Sequence, residues 1–503
     1  MASMSPVFLM AISTDTVHIF NEFYFRFHEV GRKKEAILAT MGAVGTPILF
    51  SDLTATAGFA SLGIGPIIPV RIFGFLVAVG TLVILLMSFT LVPALMALMR
   101  EEKLTRLASR EHGQASLSAA GLEKIGRLSL RWNKAVVLLG AVLVVVSIMG
   151  VARIRINNNM ISWFKENSAV RTADRMLNEN LGGTATLYLV ANAAQEDALK
   201  DPAVLHSLEN LQKYLESKPL VGKTLSVADY VKRINRILQG DDPRHDTVPD
   251  SSAVVAQYLL LLNMGVQPRD LNNVVDYPYQ KANVIVQLRS WDADETKALL
   301  HDVERYLATH PLPGIEVEPA GIAYFNMVWN HDVLVGMLSG FIASSILVFF
   351  LLVLDYRSFK WGLVSFIPLL FTVLLIYGFV GFVGKDFDMP ISVLSTLSLG
   401  LAVDFAIHFV SRFQQRHKQT RQIPEALRWT VVRPGKGILR NALLFASGFS
   451  VMIFAQLTPY ITVGVFMIAI MLLSAAATIV LLPALVSLAA RWLLPQEVSH
   501  VQS

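Results

Sequence analysis

Ionisable side chains occur inside apolar stretches of this chain, where a charge is costly. Asp15, Asp52 and Asp404 each lie well within such a stretch, and His18 and His408 accompany two of them. A charge at the centre of a membrane helix costs on the order of 2.5–3.5 kcal/mol, so residues of this kind are usually functional. Spacings of three and four residues put each aspartate–histidine pair on one helix face. Because buried carboxyls and imidazoles can both exchange protons near neutral pH, we predict a proton relay of these five residues.

Each of these residues also has a purely structural interpretation, which the sequence leaves open. Asp404 and Asp15 could each form a buried hydrogen bond with no further role. Asp52 could cap a helix near a break or bond to the neighbouring Thr54. The two histidines could face polar groups near the membrane surface, and Asn441, at the start of an apolar stretch, is expected at that surface.

The composition is that of a membrane protein with one soluble segment. The 503 residues are 53% hydrophobic and only 16% charged, with a mean hydropathy of +0.51. Soluble domains carry about 25% charged residues. Residues 153–331 differ from the rest, because they hold 18 Lys and Arg and 22 Asp and Glu. These values exclude a disordered chain, a fibrous protein and an ordinary cytosolic enzyme.

No residue pattern indicates catalysis, a cofactor or a metal. The chain has no cysteine, which excludes disulfides, thiolate metal sites and cysteine nucleophiles. There is no phosphate-binding loop, nucleophile elbow or zinc-binding helix, and the histidines of 154–331 lack metal-ligand spacing. The net charge of +5 comes from basic residues in short loops, which favours a membrane topology signal over a nucleic-acid surface. We therefore expect neither an enzyme nor a nucleic-acid-binding protein.

About nine stretches are long and apolar enough to cross a hydrocarbon core of about 30 Å. They run approximately over 4–25, 43–64, 70–98, 133–153, 332–355, 360–383, 389–411, 437–457 and 463–493. Lys and Arg concentrate in the loops on one side, which the positive-inside rule makes cytoplasmic. Residues 154–331 then lie outside, and Asp404 lies near the middle of the bilayer.

The outside segment is predicted to be an α+β domain. Residues 184–193 and 282–290 are rich in β-formers, and residues 202–217, 227–240 and 294–310 have helical spacing. Along the chain, we predict a first membrane block (1–100), a cytoplasmic linker with some amphipathic helix (101–132) and a single span (133–153). The outside domain (154–331), a second membrane block (332–495) and a short tail (496–503) follow.

An internal repeat relates the two membrane blocks at a constant offset of 390 residues. LVPALMAL at 91–98 matches LLPALVSL at 481–488, and His18 matches His408 without any gap. Spans one to three therefore repeat spans seven to nine, and the loop charges make the repeat parallel. The duplicated Gly58-Phe59 and Gly448-Phe449 pairs are expected to let helices pack closely.

The pattern resembles the resistance-nodulation-division (RND) superfamily in its MMPL branch. The resemblance rests on GLAVDFAIHFVSRF (400–413), STDTVHIFNEFYFRF (13–27) and ILFSDLTATAGFASL (48–62), and covers nearly the whole chain. It implies twelve helices, two periplasmic porter domains and proton-driven transport, with Asp404 as the essential aspartate. Asp15 matches only with a one-residue shift, since Thr14 aligns with Asp404, and Asp52 stands where the family usually has Ser or Thr. Counterparts of helices one to three and of the first porter domain are not found before the first span.

The resulting hypothesis is a proton-driven exporter of lipids or other hydrophobic substrates in the bacterial inner membrane, with residues 154–331 in the periplasm. Its partners would be the membrane, protons, the substrate, and either further copies of the chain or a missing N-terminal half. The alternative is a non-transporting fragment or accessory scaffold of a split transporter that binds lipid or a partner through residues 154–331. Intramembrane charges favour the transporter, because a scaffold gains nothing from their cost.

Overall fold

The computed structural model of the chain describes residues 4–65, 67–101, 117–265 and 271–494. The chain forms two compact units. The first comprises Met1–Ile156 and Asp332–Ser503, and the second is Asn157–His331.

The first unit is a bundle of mostly long helices. They are α1 (Met4–Val30), α2 (Lys33–Ser61), α3 (Ile68–Leu98), α4 (Leu117–Arg131), α5 (Asn133–Val151), α11 (Gly321–Tyr356), α12 (Phe359–Val383), α13 (Met389–Thr420), α14 (Ile423–Ser450), α15 (Thr458–Ala476), α16 (Leu482–Leu488) and α17 (Ala490–Leu493). Helix α11 begins within the residues of the second unit. Helix α4 covers part of the predicted linker, while 102–116 and the predicted tail lie outside the described residues.

Seven of these segments have the length and apolarity of a membrane span among the described residues. They are α2, α3, α5, α11, α12, α14 with its 3-10 extension, and α15 with the helical turns that follow it. The chain is therefore a multi-pass membrane protein. The other two predicted spans are α1 and α13, helices of 27 and 32 residues whose hydropathy is lowered by the polar residues they carry. Their role as membrane spans stays a prediction.

The repeat is visible in the order and bounds of the helices. Helices α1, α2 and α3 correspond to α13, α14 and α15–α16 at an offset close to 390, and both copies have a 3-10 turn after the second helix, at Leu62–Ile64 and Val451–Phe454. Both third helices start with a proline, Pro69 and Pro459, whose fixed φ suits the first turn. The copies differ near their ends, because a π-helical segment, Ala477–Leu481, interrupts only the second.

Glycines allow close packing at the corners of both copies. A Cβ on Gly74 would lie 2.5 Å from the carbonyl oxygen of Phe59, and one on Gly464 would lie 3.0 Å from that of Phe449. The same contact, between the end of the second helix of a copy and its third helix, is thus made twice at the repeat offset. A Cβ added to Gly58 would lie 3.2 Å from Cα of Gly400, which belongs to the other copy of the repeat. The equivalent Gly448 is only half-buried.

The second unit is an α+β domain with a four-stranded sheet in the order β2-β3-β1-β4. The strands are β1 (Ala185–Ala193), β2 (Val221–Leu225), β3 (Lys281–Leu288) and β4 (Ile315–Ala320), and neighbours are antiparallel, with Ala185 opposite Leu288. Its helices are α6 (Ala169–Asn180), α7 (Pro202–Glu216), α8 (Val227–Leu238), α9 (Ser252–Gly265) and α10 (Ala293–Thr309).

Alternation of side chains builds the core of this unit. Every second residue of β1 is buried, from Ala185 to Ala193. The first four of these, Ala185 to Ala191, share one apolar cluster with Leu208 and Leu211 of α7. The unit has its own core, as its soluble composition requires.

Candidate functional site

Helix α13 supplies the central carboxylate of the site. Its start is fixed by Asp388, whose side chain accepts a hydrogen bond from the backbone N–H of Ile391, with Pro390 in the first turn. The helix packs against α2, α12, α14 and α15, and Phe405, Phe409 and Phe413 are fully buried along it. Residues of its middle turns are therefore held rigidly inside the bundle.

Asp404 is bound by groups from three helices. The hydroxyl of Ser51, on α2, donates to its Oδ1 at 2.6 Å. Nε2 of His408 lies 3.2 Å from the same oxygen, and Nε2 of His18, on α1, lies 3.9 Å from Oδ2. The side chain of Asp404 is 6% exposed, and its Oδ2 accepts no hydrogen bond from the described residues. This carboxyl thus keeps one acceptor oxygen available between two imidazoles.

The two predicted histidines stack on each other. The rings of His18 and His408 lie 3.9 Å apart with an interplanar angle of 8°. Both are buried, and the amide nitrogen of Asn441, on α14, lies 3.4 Å from Nε2 of His18. Asn441 is fully buried, so the expectation of a surface position was wrong; its carboxamide packs against this imidazole instead of facing the headgroups.

Asp15 and Asp52 form a second group beside the first. Asp15 accepts a 2.6 Å hydrogen bond from Ser88 of α3, within its own copy of the repeat. Its one-residue offset from the position equivalent to Asp404 rotates it about 100° around α1, which explains why it faces α3. The Asp52 carboxyl interacts with that of Asp15, and both are buried within helices. Thr54 bonds to the carbonyl of Ser51 rather than to Asp52.

All five predicted relay residues therefore lie in the helix bundle, in two adjoining groups. His18, Asp404 and His408 form one, and Asp15 with Asp52 forms the other. Two neighbouring carboxylates in an apolar surrounding repel each other, and a proton bound to one of them removes that repulsion. The two groups are close enough for a proton bound in one of them to affect the charges of the other.

His18, Asp404 and His408 lie close enough together to be considered as metal ligands. Potential ligand atoms of His18, Asp404 and His408 all lie within 4.8 Å of one another. A metal binds an imidazole nitrogen in the ring plane at about 2.0–2.1 Å. Two rings that are nearly parallel and 3.9 Å apart cannot both direct a lone pair at one ion. The observed geometry does not fit a metal, and we assign none.

The sequence reasoning missed a buried ion pair. Glu22 and Arg412 contact each other through Oε2 and Nη2, and both side chains are at most 10% exposed. Glu22 lies near the end of the predicted span 4–25 and was not among the predicted site residues. A signal was available, because Glu22 and Arg412 occupy equivalent positions at the repeat offset of 390. The hydrogen-bonding serines 51 and 88 carried no comparable signal.

A cavity of about 270 Å³ reaches the histidine pair from one end of the bundle. His18, Glu22, His408 and Arg412 all line it, and its remaining lining includes the basic side chains Arg433 and Lys436 and the ring of Trp429. The ring of Trp429 lies 5.7 Å from the guanidinium of Arg412. The histidine pair and the ion pair thus border the same cavity, although both imidazoles are buried.

A second cavity in the same unit is apolar and larger, with a volume of about 570 Å³. It lies between the end of α5, α11 and α12, next to the short bridge that pairs Ile156 with Phe387. Met337, Phe341 and Leu374 are among its lining residues, and the hydroxyl of Tyr377 there donates to the carbonyl of Ile391. Its size and lining suit an acyl chain or another apolar molecule.

Comparisons with known proteins agree with this architecture. The chain is 21% identical over 338 residues to a membrane protein of Methanocaldococcus jannaschii, a match that covers 66% of this chain and 84% of the relative. It is 31% identical over 150 residues to MmpL9 of Mycobacterium tuberculosis, which is named as a transport protein, over 28% of this chain and 15% of that one.

A solved structure shares the fold. The cryo-EM structure of the hedgehog release protein Disp from the water bear Hypsibius dujardini matches 96% of this chain with a TM-score of 0.61 at 16% identity. The match spans 62% of the Disp chain. The sequence pattern of the MMPL family matches residues 1–146 and 169–502. With this match over most of its length, its repeat and its RND-type fold, the chain belongs to the MMPL family.

Proposed function

We propose that this chain acts in a proton-coupled transporter that exports lipids or other hydrophobic molecules across the bacterial inner membrane, with residues 154–331 on the periplasmic side. The observation that carries the proposal is the buried contact of Asp404 with Ser51, His408 and His18. These residues belong to both copies of the repeat, so a change in the protonation of Asp404 would alter the contact between them.

Proton movement down the membrane potential is an adequate energy source for such a rearrangement. One charge moving through a potential of 100 mV releases about 2.3 kcal/mol. In parallel repeats, this energy can rock one helix block against the other. Loss of the charge on Asp404 would weaken the attraction to the imidazoles while Ser51 still donates to it. The relay thus links proton occupancy to the packing of α13 on α1 and α2.

A hydrophobic substrate is supported by the apolar cavity between α5, α11 and α12. Its walls are almost entirely aliphatic and aromatic, so they offer no specific contacts to a strongly polar molecule. The relatives with an RND-type fold and a transport name point in the same direction.

The test is transport in proteoliposomes that contain the purified chain. A pH gradient is imposed, and proton flux and a fluorescent lipid are followed together. We expect Asp404→Asn to reduce both fluxes at least a hundredfold without loss of folding. The matched control is Asp332→Asn, an identical substitution at an exposed position of the same unit.

Two results would contradict the proposal. Full proton-coupled export by Asp404→Asn would remove this carboxyl from the coupling. Absence of any flux from a well-folded chain would favour the alternative of an accessory subunit that binds lipid or a partner through residues 154–331.

A further inference from the structure

Two residue pairs link equivalent positions of the two repeats. His18 stacks on His408, and Glu22 pairs with Arg412; each pair is separated by 390 residues, the offset of the repeat. Two equivalent positions can touch only close to the axis that relates the copies. The histidine pair and the ion pair therefore lie along the axis, one helical turn apart, or about 6 Å on α1 and on α13.

Further hydrogen bonds hold both members of the ion pair in place. The Glu22 carboxylate also accepts from Nε of Arg26 at 2.8 Å. Arg412 donates from Nη1 to Gln415 at 2.9 Å, and Gln415 donates to the carbonyl of Ala43 on α2 at 3.1 Å. The contact thus connects α1, α2 and α13 at a single point.

The position of the pair in the cavity suggests its role. Glu22 and Arg412 line the cavity that also reaches His18 and His408. Further charged groups nearby are Arg26 and Glu29 on α1, Arg416 on α13, and Arg433 and Lys436 on α14. The predicted topology puts this mainly basic end in the cytoplasm. The Glu22–Arg412 pair lies on the repeat axis, between that end and the imidazoles.

We propose that the Glu22–Arg412 ion pair is a gate that controls access from the cytoplasm to the histidine pair. This inference rests on the proposed proton-coupled function and names two further residues for it. Breaking a buried ion pair is costly unless water reaches both charges. Separation of the two repeats at this point would admit that water, and the same water would connect the imidazoles with the cytoplasm.

The absence of cysteine from the chain makes a direct accessibility test possible. Val44 lines the same cavity and is 4% exposed, so Val44→Cys places a single buried thiol beside the ion pair. Its reaction with a membrane-impermeant maleimide is measured in inside-out and right-side-out vesicles. We expect Glu22→Gln and Arg412→Gln each to speed labelling at least tenfold in inside-out vesicles only.

The repeat provides a rescue variant. Because the two positions are equivalent about the axis, Glu22→Arg combined with Arg412→Glu should rebuild the contact and return labelling to its original slow rate. The control is Arg416→Gln, which breaks the partly exposed contact of Arg416 with Glu425 on the cytoplasmic side and should leave the rate unchanged.

Three outcomes would overturn the gate. Unchanged labelling in folded single variants would show that the pair does not limit access. Fast labelling in the charge-swapped variant would show that the pairing itself is irrelevant. Single variants that fail to fold would mark the pair as a structural brace. None of these readouts requires proton or lipid flux, so loss of the gate and loss of the proposed transport function are distinguishable.

Discussion

At the scale of single residues, the site is built from charges whose partners come from distant parts of the chain. Asp404 takes its shortest hydrogen bond from Ser51, 353 positions earlier, and its imidazole neighbours from α1 and α13. The sequence indicated which side chains are unusual, because charges inside apolar stretches stand out. It did not indicate the serines, since a hydroxyl in a membrane helix commonly bonds to its own backbone.

A prediction at this scale concerns Ser51. Ser51→Ala removes the hydroxyl that donates to Asp404 at 2.6 Å, and hydrogen bonds to charged groups contribute about 1.5–3 kcal/mol. We expect proton-coupled transport to fall about tenfold to a hundredfold while the amount of folded protein in the membrane stays the same. The measurement is the initial rate of proton flux in proteoliposomes.

The matched control for this change is Ser450→Ala. Ser450 is only half-buried and its hydroxyl bonds to the carbonyl of Ser447, outside the relay. Equal rates for the two variants would mean that the hydroxyl of Ser51 does not assist Asp404.

At the scale of helices, the repeat determines which contacts are made twice. Hydropathy and the constant offset predicted the long helices, because both signals extend over many residues. The short strands β2 and β4 were not predicted: β2 has five residues with Gly222 and Lys223 inside it, and β4 is an edge strand that alternates Glu with apolar residues. Short edge elements depend on tertiary pairing, which local patterns do not reveal.

The corner contacts give a stability prediction. A methyl group added at Gly74 would lie 2.5 Å from the carbonyl oxygen of Phe59 and 2.6 Å from Cβ of Leu62, so the helices must shift. Overpacking of this kind typically costs 1–3 kcal/mol. We expect Gly74→Ala to lower the thermal unfolding midpoint of the detergent-solubilised protein. Gly464→Ala should have a smaller effect, because its closest contact is Met452 Cβ at 2.8 Å.

The control for these two variants is Gly42→Ala in α2, where an added Cβ meets nothing within 4 Å. Alanine is favoured over glycine in a helix by up to about 1 kcal/mol, so this variant should be unchanged or slightly stabilised. A Gly74→Ala protein as stable as Gly42→Ala would contradict the close approach of the corner to α3.

At the scale of the whole molecule, a nearly symmetric membrane unit holds its buried carboxyls in an asymmetric arrangement. Asp404 faces the other copy of the repeat through Ser51, whereas Asp15 faces its own copy through Ser88. The position equivalent to Ser88 is Thr478, a fully buried residue within the π-helical segment, and its hydroxyl has no hydrogen-bond partner among the described residues. The two copies therefore make different hydrogen bonds at equivalent positions.

The molecule combines a membrane unit with a unit of soluble composition. We expect the second unit, Asn157–His331, to fold without the helix bundle. It has its own sheet and apolar cluster, and its residues have the composition of a soluble domain. Within it, Glu209 on α7 accepts from Lys213 at 3.0 Å and from Lys232 on α8 at 3.2 Å. Burial acts to raise the pKa of Glu209, but these hydrogen bonds outweigh it and hold the pKa below its ordinary value of 4.5.

A depressed carboxyl pKa stabilises the folded state at pH values above the unfolded pKa, and that contribution is lost as the pH falls through the folded pKa. We therefore expect residues 157–331, expressed alone, to unfold cooperatively on heating, with a midpoint that falls as the pH drops below about 4.5. Glu209→Gln should be less stable at pH 7 and should lose less on acidification, because it has no charge to neutralise. A matched change at Glu304, an exposed residue of α10, should leave the pH profile as it is. Identical acid profiles for the Glu209→Gln and unsubstituted domains would show that this ion-pair cluster does not contribute to the stability of the fold.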